Sequence, residues 1–329
     1  MCAAAVPDGL PDGLVVEPRT TLNNPHAQDQ DDMCIWVDRS DPSRSTVIAS
    51  DKTAGKLFVY DLSGGLVQRV DVEGKPGNID LRYDFPLAGE KVDIVAFNER
   101  DHSAIHVYRV DRETRLLVRI DDERIATGPN YGFTLYLDRT SGKFYGFTVA
   151  DEDGHGVEQY ELAEDGKGRV KGRKVRAWEH PKSEGCVADD LTGALYVGTE
   201  EVGVWKFNAA PEQTPGGKLI VAVGDNGLVA DVEGVTLLTD VSGDGYLVVS
   251  SQGSGEFKVY ARKPPHAFIH SFSVRGASDT DGIDLVNVAL TPAFPQGLFA
   301  LHNGATTPCP ILLCDLRDLG LLGPRGNGD

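Results

Sequence analysis

Acidic and amide side chains recur in this sequence at two kinds of position around short apolar segments. One set precedes an apolar segment and the other follows the next segment about twenty residues later, as from Asp31 to Lys52. The first set is Asp31-Asp32, Asn78 with Asp80, Tyr131, Glu184, Asp231 with Glu233, and Asp281 with Asp284. The second set is Lys52, Arg100, Asp151-Glu152, Glu200, Gln252 and Asn303. If the fold gathers both sets, they form one strongly acidic site.

Such a site needs compensating positive charge, because neighbouring carboxylates disfavour each other's ionised form. Either protons or cations must supply it. Oxygen ligands from Asp, Glu, Gln and Asn suit Ca²⁺, which accepts about six to eight oxygens in flexible geometry. None of the eight histidines belongs to these sets, which disfavours zinc. We predict that several Ca²⁺ ions bind here.

Lys52 and Arg100 are cations within the acidic sets. Taken singly, each is explained as an ion-pair partner that balances neighbouring acids. Together with metal ions, they would form an electropositive surface for phosphate. The combination predicts a site for a polyphosphorylated small molecule.

The elements that position these residues repeat along the chain. One hairpin motif occurs six times; it consists of an apolar strand, a short polar loop and a second strand. Its anchor residues are Tyr60, Tyr108, Tyr160, Trp205, Tyr260 and Cys314, separated by 48, 52, 45, 55 and 54 residues. This period is typical of four-stranded propeller blades. We predict an all-β, six-bladed β-propeller of antiparallel blades, in which both sets of loops lie at one end.

Domain organisation follows from the same count. Residues 1–20 form an N-terminal extension and 21–329 a single propeller domain, with the segment GLVVEPRTTL completing the last blade. Pro308 and Pro310 within the sixth hairpin predict an irregular blade. A TIM barrel is excluded, because it needs eight amphipathic helices and this sequence offers none.

Composition limits the partners. A formal net charge of -18 disfavours nucleic acid and anionic membranes, although excess carboxylate can also serve solubility alone. The five cysteines show neither a disulfide framework nor zinc spacing, and Cys34 and Cys186 are predicted core residues. No apolar run is long enough to span a membrane and no secretion signal is visible.

The residues at these loop positions resemble those of the β-propeller phytases, which are calcium-dependent enzymes that remove phosphate from inositol hexakisphosphate. The resemblance runs from about residue 28 to residue 304. It is carried by DDMCIWVDRSDP, SDKTAGKLFVY, GNIDLRYDFPL with KVDIVAFN, YGFTLY, EQYEL, SEGCVADD, ADVEG, SSQG and SDTDGID. The order and spacing of these motifs make the match far more specific than a shared fold.

The resemblance implies a 3-phytase-type phosphoric monoester hydrolase whose small-molecule substrate is phytate, as its calcium complex. It implies calcium ligands at Asp31, Asp32, Glu184, Glu200, Asp231, Glu233, Gln252 and Asp281, and phosphate contacts from Lys52, Arg100 and Tyr131. Asp31, Glu184, Glu200, Asp231 and Glu233 are the expected catalytic residues. The implied mechanism is direct attack on phosphorus by a calcium-bound water or hydroxide. A monomer in an extracellular or periplasmic setting is expected.

Four departures from the family pattern affect these expectations. Met33 and Cys34 follow Asp32 where the family has Pro-Ala, which could shift a metal-binding carbonyl. Asp151 stands where a phosphate-binding lysine is usual, and Gly154 to Gly156 look like part of a small insertion. An acidic residue is missing near Arg275, and the closing segment after Gly304 is altered. We therefore expect the chemistry to be retained more surely than the stability.

Two other classes of function compete with the phytase hypothesis. A non-catalytic propeller that binds calcium or phosphorylated ligands is favoured by Asp151 and by the altered last blade. A lactonase-type or other small-molecule hydrolase would use one metal and would not need Lys52 or Arg100. The intact acidic set favours the phytase.

Overall fold

The computed structural model describes residues 13–121, 124–150, 155–239 and 243–321. These residues form six antiparallel sheets in sequence order around a ring. Two short strands, β1 (Leu14–Val16) and β2 (Thr20–Leu22), precede the first blade. Asp151, Glu152 and Gly154, which the sequence analysis singled out, lie outside the described residues.

The first three blades each follow the chain from the centre of the ring outwards. Blade one is β3 (Gln30–Trp36), β4 (Thr46–Asp51), β5 (Lys56–Asp61) and β6 (Leu66–Asp71). Blade two is β7 (Pro76–Leu87), β8 (Glu90–Glu99), β9 (Ala104–Val110) and β10 (Leu117–Arg119), with β11 (Ile125–Ala126) also paired to β9. Blade three is β12 (Gly132–Asp138), β13 (Lys143–Val149), β14 (Val157–Glu164) and β15 (Val170–Trp178).

The remaining blades follow the same plan. Blade four is β16 (Cys186–Asp189), β17 (Ala194–Thr199), β18 (Gly203–Asn208) and β19 (Lys218–Ala222). Blade five is β20 (Val232–Thr239), β21 (Gly245–Ser251), β22 (Glu256–Ala261) and β23 (Phe268–Val274). Blade six contains β24 (Ile283–Val286), β25 (Leu298–His302) and β26 (Ile311–Asp315). Short 3₁₀ helices cover Pro42–Arg44, Asp225–Gly227, Gln252–Ser254 and Leu316–Leu319.

The N-terminal strands join the two ends of the chain. Strand β2 pairs antiparallel with β26 and is the fourth, outermost strand of blade six, while β1 adds in parallel to β23 at the edge of blade five. The first strands of neighbouring blades contact one another all the way round, and β24 contacts β3 across the seam. The predicted all-β, six-bladed propeller is confirmed; the division at residue 20 stays a prediction.

Blade six is more regular than its prolines suggested. All five residues of β26 pair in register with β25. Pro308 and Pro310 lie in the loop before β26, where their missing N–H groups cost no ladder hydrogen bond. Cys314 takes the place of the repeated aromatic and is fully buried.

Apolar side chains fill the space between neighbouring blades. Six buried clusters are found among the described residues, one at each interface. Trp36 and Phe97 pack between blades one and two, and Phe257 and Phe299 between blades five and six. Because each sheet has two apolar faces, only ring closure buries them all, and each large side chain contributes about 2 kcal/mol or more. Cys34 and Cys186 lie in such clusters, which confirms them as core residues.

Candidate active site

Two kinds of loop meet at one end of the ring. We call the loop before the innermost strand of a blade its first loop, and the loop between the second and third strands its second loop. Asp31, at the beginning of β3, is fully buried there and is held by two cations. Lys52 donates to one Asp31 carboxylate oxygen at 2.6 Å, and Arg100 donates to the other at 3.4 Å. Both cations come from second loops.

Arg100 bridges blade one to blade four. Its guanidinium donates to Oε1 of Glu184 at 2.7 Å and lies over the ring of Tyr131, with Cζ 4.1 Å from the ring centroid. A flat guanidinium stacked on an aromatic face keeps its other N–H groups oriented. Arg100 is therefore fixed by three contacts, whose partners are Asp31, Glu184 and Tyr131.

Asp281 joins blade six to the same group. One of its oxygens accepts from Lys52 Nζ at 3.1 Å and the other from Gln252 Nε2 at 2.7 Å. Its backbone N–H donates to Nδ1 of His302 at 3.0 Å. The prediction that no histidine belongs to the acidic set is therefore wrong, because His302, the last residue of β25, contacts the backbone of Asp281 through its ring.

His302 also approaches Asp29 and Cys309, so that one candidate ligand atom from each lies within 4.8 Å of the others. Burial lowers the pKa of His302 to about 4, so the ring is neutral. The Asp281 N–H occupies the lone pair of Nδ1 and thereby places the ring proton on Nε2. His302 thus supports Asp281 rather than offering a nitrogen lone pair to a metal.

Three buried glutamates form the centre of the site. Oxygens of Glu184, Glu200 and Glu233 lie within 4.8 Å of one another. Oε1 of Glu200 and Oε2 of Glu233 are buried and have no hydrogen-bond partner in the described chain. Buried carboxylate oxygens without a partner carry a desolvation cost, and native structures rarely keep them without a ligand or ion.

The pKa values of these carboxyl groups report the surplus of negative charge. Burial raises the pKa of Glu184 to about 7, and the charge of Asp31 acts in the same direction. Burial and the charge of Glu184 raise the pKa of Glu233 to about 10. Burial and Asp31 raise the pKa of Asp281 to about 7. The pKa of Asp31, by contrast, is lowered, because Arg100 and Lys52 together outweigh its burial. The raised pKa values mean that these carboxyl groups hold protons in the absence of metal, and bound cations could replace those protons.

Glycines set the close spacing of the first loops. Gly132 and Gly185 directly follow Tyr131 and Glu184. A Cβ on Gly132 would lie 1.8 Å from the carbonyl oxygen of Glu184, and one on Gly185 would lie 1.9 Å from that of Glu233. Since no side chain fits at either position, each first loop rests directly on that of the next blade. The glycine after a site residue brings the neighbouring carboxylates together.

Asp32 points elsewhere. Its carboxylate accepts from the backbone N–H of Ile79 at 3.0 Å and lines the central channel, where burial raises its pKa. Asp80 and Asp284 line the same channel and accept backbone N–H groups of Leu135 and Ile35. The structure therefore separates the adjacent residues Asp31 and Asp32. Their side chains alternate because both belong to β3.

Other predicted residues contribute less directly. The carbonyl oxygen of Asp231 accepts from the Gln252 backbone N–H at 3.0 Å, and the Asp231 charge acts on Glu233. Asn303 binds the backbone of Gly276 and of its own blade. Arg275, where an acid was expected, pairs with Glu17.

Sequence reasoning missed Lys182. Its Nζ donates to Oε2 of Glu200 at 2.8 Å and lies 5.2 Å from the Tyr131 ring centroid. The signal was present, because Lys182 stands two residues before Glu184 in the first loop of blade four. His302 likewise immediately precedes the second-loop residue Asn303.

The oxygen donors fit a calcium ion. Two oxygens on opposite sides of one Ca²⁺ are separated by about twice the Ca–O distance, or about 4.8 Å. The three glutamates meet this limit, and two of their oxygens lack any other partner. Gln252 is hydrogen-bonded to both Asp231 and Asp281, and the charges of these two aspartates act on Glu233. A divalent cation would supply the missing compensation.

Comparison with known proteins agrees with this site. The family model described as Phytase matches residues 15–308. A 3-phytase of Bacillus subtilis strain 168 is 39% identical over 287 residues, which cover 83% of this chain and 74% of the relative.

Solved structures of other proteins share the fold. A luciferin-regenerating enzyme matches with a TM-score of 0.57 at 13% identity, covering 91% of this chain and 95% of its own. Regucalcin of Agrobacterium tumefaciens strain C58 matches with a TM-score of 0.55 at 12% identity, covering 92% and 95%. At these identities the likeness concerns the fold alone.

The family model and the 3-phytase relative confirm the predicted resemblance, and with it the predicted enzyme class, a phosphoric monoester hydrolase. The glutamate cluster, the cations Lys52, Arg100 and Lys182, and the ring of Tyr131 lie within the matched residues. The chain belongs to the phytase family, folded as a six-bladed β-propeller with an acidic candidate active site at one end.

Proposed function

We propose that this chain hydrolyses the phosphate monoesters of phytate in a calcium-dependent reaction at the acidic end of the ring. The observation that carries this proposal is the cluster of Glu184, Glu200 and Glu233, with two buried oxygens lacking partners, beside Arg100. The 3-phytase relative supports phytate as the substrate.

The residues that would hold calcium come from blades one, four, five and six. They are Asp31, Glu184, Glu200, Asp231, Glu233, Gln252 and Asp281, with Asp32 as a candidate in the channel. When bound, calcium supplies positive charge that neutralises phosphate oxygens and acidifies water. Several ions rather than one are proposed, because the oxygen atoms of these carboxylates outnumber the about six to eight oxygens that a single Ca²⁺ accepts.

Arg100 and Lys52 would orient the phosphate that reacts. Each already contacts Asp31, so both positive charges are held beside the same carboxylate. Stacking on Tyr131 holds the Arg100 guanidinium flat, ready to donate two parallel hydrogen bonds to phosphate oxygens. Such prepositioned donors stabilise charge in the transition state without reorganising. The residue roles of Lys52, Arg100 and Tyr131 are proposed on this basis.

Direct attack by water, without a covalent enzyme intermediate, is the proposed route. Cys309 is the described cysteine nearest to Asp29 and Lys52, but burial and the Asp29 charge raise its pKa to about 11. Its thiol is therefore protonated and a poor nucleophile. Glu184, which accepts from Arg100 at 2.7 Å, is proposed to accept a proton from the attacking water.

Phosphate release from phytate tests the proposal. We expect release with Ca²⁺, loss with a chelator, and a reduction of about 10² to 10³-fold in kcat for Glu184→Gln. Glu90→Gln, which changes an exposed carboxylate on β8, serves as the matched control. Activity that is indifferent to the chelator, or equal in the two variants, would contradict the proposal.

Cellular setting and oligomeric state are also proposed. The family resemblance supports an extracellular or periplasmic location and action as a monomer. No helix among the described residues is long and apolar enough to cross a membrane. Light scattering of the purified chain measures the oligomeric state, and a dimeric mass would overturn the monomer.

A further inference from the structure

Asp51 is the last residue of β4 and directly precedes Lys52, and its side chain is fully buried. Its carboxylate accepts backbone N–H groups from both loops of blade one, those of Gln28, Asp29, Thr53 and Ala54. The donor–acceptor distances lie between 2.7 and 3.2 Å. A single carboxylate therefore fastens the first loop of the blade to its second loop.

Glu99 repeats this arrangement in blade two. It is the last residue of β8, directly precedes Arg100 and is fully buried. Its carboxylate accepts backbone N–H groups from both loops at 2.8 to 3.0 Å, those of Lys75, Asp101 and His102. A Cβ on Gly74 would collide with Oε1 of Glu99, so the first loop has a glycine where the carboxylate needs space.

The backbone of each cation completes the connection. The Lys52 N–H donates to the carbonyl oxygen of Asp29 at 3.1 Å, and the Asp29 N–H donates to Asp51. In blade two the Arg100 N–H donates to the carbonyl oxygen of Lys75 at 2.9 Å, and the Lys75 N–H donates to the acid that precedes Arg100. Among the described residues no ion pair joins either acid to the cation that follows it. The base of each cation is therefore fixed, and its charged end contacts other carboxylates of the site.

An acid occupies this position only in the two blades whose second loop begins with a cation. In blades three to six the last residues of the second strands are Val149, Thr199, Ser251 and His302. They precede Ala150, Glu200, Gln252 and Asn303. Ser251 makes one comparable bond, accepting from the Val229 N–H at 2.9 Å through its hydroxyl. A carboxylate accepts several stronger bonds and also offsets the positive charge beside it.

We propose that Asp51 and Glu99 are positioning residues, which hold the loops that carry Lys52 and Arg100 so that both cations converge on the reacting phosphate. The inference rests on the proposed function and deepens it. Neither acid contacts substrate in this role, because backbone N–H groups occupy its oxygens. Without the carboxylate the loop and its cation would shift, and a displacement of about 1 Å at a reacting group can lower the rate about 10²-fold.

A double-mutant cycle in blade one tests this role. Asp51→Asn puts an amide NH₂ where an oxygen accepts backbone N–H groups, and should lower kcat/KM for phytate about 10- to 100-fold. Added to Lys52→Met, the same substitution should cost less than about twofold, because the cation to be positioned is gone. A purely structural role for Asp51 would lower kcat/KM by the same factor in both backgrounds.

Asp138→Asn is the matched control. Asp138 is a buried acid at the end of β12, on the opposite side of the ring from the site. It accepts from the Thr140 N–H at 2.8 Å and from Ser141 Oγ at 2.6 Å. Its replacement should leave kcat/KM for phytate within about twofold of wild type. Circular dichroism verifies that each variant is folded.

A binding measurement repeats the cycle without turnover. In calorimetry with myo-inositol hexasulfate, a non-hydrolysed polyanion, Asp51→Asn should raise Kd about tenfold. Beside Lys52→Met it should raise Kd less than about twofold. Wild-type protein that releases no phosphate from phytate would refute the proposed function, whereas this binding cycle would still decide the role of Asp51.

Glu99→Gln with Arg100→Met gives the corresponding cycle in blade two. Hydrogen exchange adds a structural readout, since the Lys75 amide in Glu99→Gln and the Asp29 amide in Asp51→Asn lose their acceptors and should exchange faster than in wild type. Equal losses with and without the cation, or wild-type affinity for hexasulfate in both acid variants, would overturn the inference. An acid variant that does not fold would assign that carboxylate to the stability of the fold and overturn the inference for its blade.

Discussion

Glu184 and Asp189 lie near the two ends of one short strand, β16, and both are buried, yet their surroundings differ completely. Asp189 accepts two hydrogen bonds from Arg262, at 2.6 and 2.8 Å, and two more from the backbone N–H groups of Leu191 and Thr192. Glu184 shares Arg100 with Asp31 and faces two further glutamates.

The pKa values separate the two carboxyl groups in the same way. Burial works against ionisation at both ends. At Asp189 the hydrogen bonds and charge of Arg262 outweigh it and lower the pKa. At Glu184 burial and the Asp31 charge prevail and raise the pKa to about 7.

This difference distinguishes a structural carboxylate from a ligand. A buried acid whose oxygens are all satisfied by the protein ties elements together and has no capacity for a further partner. A buried cluster with more negative charge than the chain compensates must take up protons or cations. Burial alone therefore does not identify a functional acid; the balance of partners does.

The largest effect on the free energy of unfolding is expected from the Asp189–Arg262 pair. Arg262→Met should lower the free energy of unfolding by about 3 to 5 kcal/mol, because it leaves Asp189 buried without its partner. Urea denaturation measures this loss. Phosphate release by the folded variant should stay close to wild type, since the pair is distant from the glutamate cluster.

Arg19→Met is the matched control for that variant. The Arg19–Asp318 pair is exposed, so its loss should cost less than about 1 kcal/mol. If Arg262→Met were no more destabilising than Arg19→Met, the structural role assigned to Asp189 would be incorrect.

Ca²⁺ should stabilise the folded chain by binding at the glutamate cluster. At about 100 times its Kd, a ligand that binds only the folded chain adds about 2.7 kcal/mol to the free energy of unfolding. Glu233→Gln removes one donor of the cluster and should lose most of this gain, whereas Arg262→Met should retain it. Thermal unfolding of both variants with and without Ca²⁺ measures the contrast. An equal calcium shift in wild type and Glu233→Gln would remove Glu233 from the ligand set.

A smaller effect is expected from His180, whose pKa burial lowers from 6.5 to about 4. The unfolded chain then binds a proton at a higher pH than the folded chain does. The free energy of unfolding should therefore fall as the pH drops from 6.5 to 4, by about 2 kcal/mol relative to a chain without this group.

His180→Phe isolates that contribution, because the new ring can keep the contacts with Trp205 and Phe207. Its unfolding free energy should depend less on pH in this window than that of wild type. Thr199→Val, which removes the hydroxyl that both His180 and Ser183 contact but keeps the His180 ring, should keep the wild-type slope. Parallel curves for wild type and His180→Phe would show that His180 does not titrate as stated.

Much of the site followed from loop position. The repeat placed Asp31, Glu184, Glu233 and Asp281 in first loops, and the structure brings these residues to one end of the ring. The same reasoning could not separate Asp31 from Asp32, because a bulge and side-chain alternation in β3 decide which carboxylate faces the cations.

Partners drawn from distant segments were harder to foresee. His302 supports Asp281 from a neighbouring strand end, and Lys182 reaches Glu200 from another loop of the same blade. Neither contact has a spacing of its own in the sequence. The packing of apolar side chains between neighbouring blades was easier to predict, because apolar strands with two buried faces require neighbours on both sides.

The six-fold repeat, the closed all-β ring and the choice of oxygen donors follow from the order of the residues, because strand periodicity and turn residues are local properties. How the charges of those donors are compensated depends on contacts between blades, which local patterns do not contain. Whether a buried carboxylate is satisfied depends on atoms from other blades, and burial changes its pKa only after the ring has closed. Glu184 and Asp189 are five positions apart in the chain, but the one is open to a cation and the other is already paired.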